Sequence, residues 1–220
     1  MQRSKLSVRY MTTVAMFCAM SFIAVLIGKL VPNIAGFLSY DPKDALVVIA
    51  GFILGPVASV IISVIVSFIE MISISTTGPY GFLMNIISTC AFAVPAAWYY
   101  KKSHSHNGAV IGLGIGVVFM TACMLLWNYI VTPYYMGVER ADVAAMLVPV
   151  FLPFNLVKGG INAGITLLIY KPIVNALRKA KLVEASKSPD KKSFNLGFTL
   201  FALAVTVTFV LFFLVLADVI

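Results

Sequence analysis

Residues Phe151 to Asn162 read FLPFNLVKGGIN and set a lysine, Lys158, inside a stretch otherwise apolar enough to lie in lipid. An ammonium group near the centre of a bilayer costs about 2.5 to 3.5 kcal/mol even on the mildest scale, so such a lysine marks a ligand or ion site. Asn155 precedes it by three positions and Asn162 follows by four. That spacing stacks the three side chains on one face of a helix. A polar stripe on a greasy segment implies a bundle of membrane helices that holds something against the stripe, and the rest of the chain is read as that scaffold.

Composition agrees. Of the 220 residues 61% are hydrophobic and 11% charged, too little polar surface to cover a soluble globule and enough long apolar runs for membrane spans. The net charge of +8 does not point to nucleic acid, because the basic residues fall in short clusters between apolar runs, as the positive-inside rule requires. Cys18, Cys90 and Cys123 all fall within candidate spans and form no C-x-x-C pair; they read as buried free thiols. The first apolar run follows Arg3, Lys5 and Arg9 as a signal peptide would, but it is longer than an h-region and lacks a small-x-small cleavage site, so it is read as a retained span.

That first span covers about Tyr10 to Leu30, with Ala15 and Ala19 one turn apart, a face another helix can approach closely. A polar interruption, Pro32 to Asp44, follows. The next apolar segment is broken at Gly55-Pro56, because proline cannot continue the hydrogen-bond ladder and biases its predecessor away from helix. Two short helices result, about 45–54 and 57–74. The first reaches only ~15 Å against a core of ~30 Å, so neighbouring protein must shield it or its loop must dip into the membrane. Glu70, near the outer end of the second, reads as an interfacial acid.

Thr76 to Gly81, TTGPYG, reads as a turn. Phe82 to Tyr100 reads as a span ending in Trp98, Tyr99, Tyr100, Lys101 and Lys102, an aromatic belt followed by positive charge. His104 and His106 have no third ligand nearby and read as solvated loop residues. The run from Gly108 to Val131 opens with Gly108, Gly112, Gly114 and Gly116, which permit close helix packing. A loop with Pro133, Tyr134, Tyr135, Glu139, Arg140 and Asp142 leads to the opening stretch, helical to about Ala176. Leu196 to Leu216 is a further span.

The charges orient this bundle. Arg3, Lys5, Arg9, Lys101, Lys102, Lys171, Arg178, Lys179, Lys181, Lys187, Lys191 and Lys192 fall on one side, against Lys29, Lys43, Arg140 and Lys158 on the other, so the N-terminus is expected in the cytoplasm. Asn85, Asn128 and Asn155 then converge with Lys158 in the outer half. Phe151, Phe154, Trp127, Tyr129, Tyr80 and Phe82 lie at the same level, with Tyr40, Tyr134 and Tyr135 above. Apolar walls with a few convergent polar groups suit a small flat ligand. Asparagine donates and accepts at once, as an imide edge does, while lysine only donates; the competing reading is that the asparagines merely join helices.

Catalysis is not expected. There is no G-x-x-x-x-G-K-[ST] and no H-E-x-x-H, and no serine or cysteine shares a span with a histidine. Uptake against a gradient therefore needs another subunit or a coupling ion.

Four stretches carry a resemblance: LSYDPKDALVVIAGFILGP (Leu38 to Pro56), GPYGFLMNIISTCAF (Gly78 to Phe92), WNYIVTPYYMG (Trp127 to Gly137) and LPFNLVKGGINAGI (Leu152 to Ile165). In order and spacing they resemble the riboflavin-specific S components of energy-coupling factor (ECF) transporters. The resemblance implies a six-helix subunit of the cell membrane that captures riboflavin outside, as transported ligand and not cofactor. It further implies a transmembrane coupling protein (EcfT) and two cytoplasmic ATPase subunits as partners, with toppling in the membrane to release the vitamin inward. The family's F-N-x-x-K-G motif falls on Asn155 and Lys158, its W-N-Y asparagine on Asn128, its pocket cap on Leu38 to Asp44, and its A-x-x-x-A partner contact on Ala15 and Ala19. The expected ligand contacts are Lys158, Asn155, Asn128, Asn85, Gly81, Tyr40, Asp44, Trp127 and Phe154; no metal ligand and no catalytic residue are expected.

The expected architecture is all-α: a polytopic membrane bundle with a six-helix core over 1–178, a basic cytoplasmic linker over 179–195, and a seventh transmembrane helix over 196–217, which departs from the family pattern. The alternative is a stand-alone ion-coupled secondary transporter of a small aromatic vitamin, in which Lys158 or Glu70 titrates.

Overall fold

In lipid a backbone must satisfy its own polar groups, and a chain of apolar runs does so as helices. A computed structural model describes residues 8–183 and 196–219. Arg3, Lys5, Lys187, Lys191 and Lys192, and most of the expected linker, lie outside the described residues. The helices are α1 (Val8–Gly28), α2 (Lys43–Leu54), α3 (Pro56–Ser73), α4 (Gly78–Ser103), α5 (His106–Met136), α6 (Arg140–Met146), α7 (Leu152–Lys179) and α8 (Leu196–Leu216), with a π-helical turn, Leu147–Phe151, between α6 and α7. Among the described residues six helical segments are long and apolar enough to cross a membrane: α1, α3, α4, α5, the continuous Arg140–Lys179 segment, and α8. The fold is an all-α polytopic membrane bundle.

The short helix is the centre of the molecule. α2 rises only ~18 Å over its twelve residues, and it is shielded on every side: Val47, Val48, Ile49 and Ala50 are fully buried. Gly55 takes φ +97, which turns the chain back, and Pro56 then opens α3 where its missing N–H costs nothing. Ser59 of α3 donates to the Val47 carbonyl at 3.2 Å, and a Cβ on Gly51 would meet the Ala97 Cβ at 2.8 Å. Small residues thus let α3 and α4 close on α2.

Two helix ends depart from expectation, both through proline. The turn read at Thr76 to Gly81 is mostly helix: α4 starts at Gly78, with Pro79 in its first turn, a position that needs no N–H donor. The loop read after Val131 is helical as far as Met136, with Pro133 inside α5. Before α7, Pro149 and Pro153 both lack a donor. The backbone widens there to a π turn in which Leu152 N–H reaches the Leu147 carbonyl, a distortion that frequently accompanies functional sites.

Hydrophobic packing divides into two clusters. One joins α1, α2, α4 and α5 around Phe17, Ile49, Phe92 and Leu113. The other joins the loop residues Ile34 and Leu38 to Val143, Phe151, Phe154, Val157, Ile161 and Phe213. At the end away from that loop, Phe52 stacks on Tyr100 at 4.3 Å and meets Tyr170 edge-on at 5.9 Å, while the two tyrosine hydroxyls bond at 3.0 Å. α8 packs on α7, where Gly160 faces the Phe209 ring and Gly164 faces Thr206. As the α7 number rises the α8 number falls, so the two helices are antiparallel.

The glycines of α5 differ in what they face. A Cβ on Gly116 would strike the Phe92 carbonyl oxygen, whereas a Cβ on Gly114 would meet nothing within 4 Å. Gly116→Val is therefore expected to lower stability by about 1 to 3 kcal/mol through overpacking, and Gly114→Val to leave it nearly unchanged. Thermal unfolding of the detergent-solubilised variants measures the difference; equal midpoints would contradict the close α4–α5 packing.

Candidate functional site

The site is built on charges that lie largely buried within the bundle. Lys43 at the start of α2 is wholly buried and Asp44 is 1% exposed. Lys43 Nζ bonds the Asp41 carboxylate and lies 4.0 Å from Asp44 Oδ1. Lys158 Nζ of α7 stands 3.3 Å from Asp44 Oδ2 and 3.3 Å from Ser88 Oγ of α4, and Thr89 Oγ1 donates to Asp44 Oδ1 at 2.6 Å. Two ammonium groups meet two carboxylates, so the cluster carries no net charge, while the Thr89 hydroxyl fills a carboxylate lone pair and the Ser88 hydroxyl accepts from the Lys158 ammonium.

A second polar group lies near the C-terminal end of α3. Glu70 Oε1 is 3.2 Å from Lys29 Nζ, and its Oε2 accepts from Asn85 Nδ2 at 2.8 Å. Glu70 is 5% exposed, so it is a buried acid and not the interfacial one that its place near a helix end suggests.

Between these two groups lies a cavity of about 300 Å³, at the lower end of the range for small-molecule sites. Lys158, Asn155, Phe154, Asn128, Met124, Ser88, Asn85 and Met84 line it, with Glu70, Lys29, Thr77 and Tyr135, and the loop residues Gly36 to Asp41 close one side. That loop is a tight reversal: Ile34 and Leu38 exchange backbone hydrogen bonds at 2.9 and 3.0 Å, with Ala35 at φ 52 and Gly36 at φ 79 between them. Tyr40 O–H donates to Asn162 Oδ1 at 3.1 Å, and Asn162 Nδ2 donates to the Asp41 carbonyl at 3.1 Å. Burial, and then the Asp44 charge, push the Tyr40 phenol far above its usual pKa, so it stays a donor throughout the physiological range.

The amides do not all serve as interhelical glue. Asn155 donates to the Phe151 carbonyl at 2.7 Å, and Asn128 donates to the Met124 carbonyl at 2.8 Å while accepting from Thr132 at 2.9 Å. All three bonds stay within one helical segment or span its π turn. They fix the rotamers, and an amide with two donors and two lone pairs keeps capacity to spare.

Of the residues singled out from sequence, Lys158, Asn155, Asn128, Asn85, Tyr40 and Phe154 line this one cavity. Asp44 does not line it; it holds Lys158 from behind. Gly81 and Trp127 lie beside a smaller pocket of about 30 Å³ with Thr77, Tyr80 and Met84. Ala15 and Ala19 lie elsewhere, exposed along an apolar groove of about 560 Å³ between α1 and α3 that Val14, Phe22, Ile61 and Ile65 also line. His104 and His106 sit at the far end of the bundle, each against an aromatic ring, and among the described residues no three His, Cys, Asp or Glu side chains gather as metal ligands.

Sequence reasoning missed Lys43, Glu70 and Lys29. For Lys43 a signal existed: a helix of ten to twelve residues cannot span, so the charges that open it must sit below the membrane surface.

The family described as ECF transporter, substrate-specific component, matches residues 9–170. The chain is similar to the riboflavin transporter FmnP of Bacillus subtilis, 28% identical over 80% of this chain and 100% of that one. It is also similar to the riboflavin transporter RibU of Staphylococcus aureus, 28% identical over 76% of this chain and 91% of that one. A solved S component of a bacterial ECF transporter superposes with TM-score 0.65 at 26% identity, over 76% of this chain and 96% of that one.

The charge cluster yields a direct test. Asp44→Leu strips Lys158 and Lys43 of their shared partner and is expected to cost about 3 to 5 kcal/mol. Asp44→Leu with Lys158→Met, which removes both ends of one pair, should recover much of that loss. Unfolding midpoints in detergent measure both, and a single variant within 1 kcal/mol of the parent would dissolve the pairing.

Proposed function

Since the chain belongs to the substrate-specific components of ECF transporters, we propose that it captures riboflavin outside the cell and passes it inward with a coupling protein (EcfT) and two ATPase subunits. The observation that carries this reading is the cavity with two polar poles, Lys158, Asn155 and Asn128 at one and Glu70, Lys29 and Asn85 at the other. Riboflavin has the matching form. Its flat ring system ends in an edge that both donates and accepts, which asparagine amides read and lysine supplements at a carbonyl. Its ribityl tail carries hydroxyls that a carboxylate accepts, and Glu70 holds that role in this reading. Phe154, Met84 and Met124 supply apolar walls for the rings. The names of the similar transporters support the choice of substrate.

Orientation follows from charge. Arg9, Lys101, Lys102, Lys171, Arg178, Lys179 and Lys181 fall toward one end of the bundle, and the positive-inside rule supports a reading in which that end and the N-terminus face the cytoplasm and the cavity faces the exterior. The chain holds no phosphate-binding G-x-x-x-x-G-K-[ST] loop, and in this reading the driving energy comes from the partner ATPases. The α1–α3 groove, with Ala15 and Ala19 exposed on it, is the surface offered to the coupling protein, because small residues let another helix come close. Lys158 and Glu70, the two groups an ion-coupled carrier would titrate, are both engaged in ion pairs.

Purified protein is expected to bind riboflavin with quenching of Trp127 fluorescence. Lys158→Met should weaken riboflavin by about 1 to 3 kcal/mol, the range for a lost charge-assisted hydrogen bond, and also weaken lumiflavin, which lacks the ribityl tail. Glu70→Gln should weaken riboflavin and spare lumiflavin. Absence of flavin binding, with tight binding of another vitamin, overturns the substrate. Separately, Ala15→Trp and Ala19→Trp should abolish ATP-driven uptake in cells while leaving the riboflavin dissociation constant intact; normal uptake would move the partner surface elsewhere.

A further inference from the structure

The helix that the family match leaves out is not idle. α8 lies beyond residues 9–170, yet it is fitted to α7 with care. Gly160 and Gly164 are the residues on which it sits, against Phe209 and Thr206, and no side chain larger than glycine fits there without displacing them. These glycines lie about 200° and 240° around α7 from Lys158 at 100° per residue. α8 therefore packs on the back of the helix whose front carries the cavity side chains.

At its outer end α8 turns to the loop. Phe213 is 5% exposed and sets its ring edge-on to Tyr40, centroids 5.8 Å apart and planes at 65°. It belongs to the cluster that buries Ile34 and Leu38 against Phe151 and Val157. Tyr40 lines the cavity and donates to Asn162, which in turn holds the Asp41 carbonyl. The wall behind the Tyr40 ring is thus supplied by α8, while the hydroxyl in front is held by α7.

We propose that α8 is a strap on the loop that closes the cavity, with Phe213 as the positioning residue that keeps Tyr40 in place and slows escape of the bound ligand. The inference rests on the flavin-capture reading above. Loop segments open locally with free energies far below global unfolding, set by how many buried contacts hold them. Removing one aromatic wall favours the open loop. Ligand enters and leaves through the open loop, so a variant that favours the open loop speeds release and does not slow association.

The test is stopped-flow riboflavin release and association on the full-length protein in detergent. Phe213→Ala is expected to speed release about three- to tenfold, the equivalent of one aromatic pair, and to leave the association rate unchanged or raised. Phe213→Leu, which keeps apolar bulk and guards against misfolding, should fall between. Phe201→Ala, on the exposed face of α8, should match the parent. Tyr40→Ala combined with Phe213→Ala should release no faster than Tyr40→Ala alone, because the two act through one contact. Parent-like release from Phe213→Ala and Phe213→Leu overturns the strap while flavin capture stands. Equal acceleration by Phe201→Ala also overturns it, since a general loosening of α8 then suffices. A parent protein that binds no flavin overturns both readings together.

Discussion

A carboxylate that cannot reach water must be met where it lies, and much of this architecture follows from meeting Asp44. Its two cations come from opposite directions in the chain, Lys43 from the adjacent residue and Lys158 from a helix more than a hundred positions later. The pairing holds the start of α2 inside the bundle, with the loop before it closing one side of the cavity. It also requires α7 to turn its polar face toward α2, which leaves its other face for apolar neighbours. Thr166 of α7, bonded to the Ala45 carbonyl at 3.5 Å, extends the same seam one level further. Breaking one partner would leave a charge stranded in a medium that cannot solvate it, so the cluster fixes register as much as it stabilises.

How much of this could be read from the residues depended on whether a group was rare in its setting. Lys158 stands alone in a greasy run, and its asparagine neighbours share its face, so both the fold class and one pole of the cavity were legible. The break at Gly55-Pro56 was legible for the same reason: two residues with opposite backbone demands admit few structures. Lys43 and Glu70 were not, because charges near the ends of apolar runs are common and usually wet. Only the shortness of α2, weighed in three dimensions, shows that Lys43 cannot be. The proline-rich ends of α4 and α5 misled for a related reason, since proline ends a helix, opens one or sits at a kink according to which carbonyls lie behind it. The position of Asp44 behind Lys158, and of Gly81 and Trp127 beside the cavity rather than on it, could come only from the packing.

Glycine has distinct uses along this chain. At Gly55 and Gly36 it serves positive φ. At Gly112 and Gly116 it serves approach, letting α5 lie against the backbone of α4. At Gly160 and Gly164 it serves reception of α8, a helix beyond the residues that the family model matches. The groove between α1 and α3, by contrast, is left uncovered, and α8 is seated against α7 and so leaves it free. An added element on one flank and an open seam on another let the chain gain a helix without surrendering its apolar seam.

The stack of Phe52, Tyr100 and Tyr170 closes the bundle at the end opposite the loop. A vessel with a welded base and a hinged top fills and empties by the same mouth. In the proposed reading, cargo held in it crosses the bilayer only if the vessel itself is reoriented or its wall is prised apart, by work supplied from outside the chain.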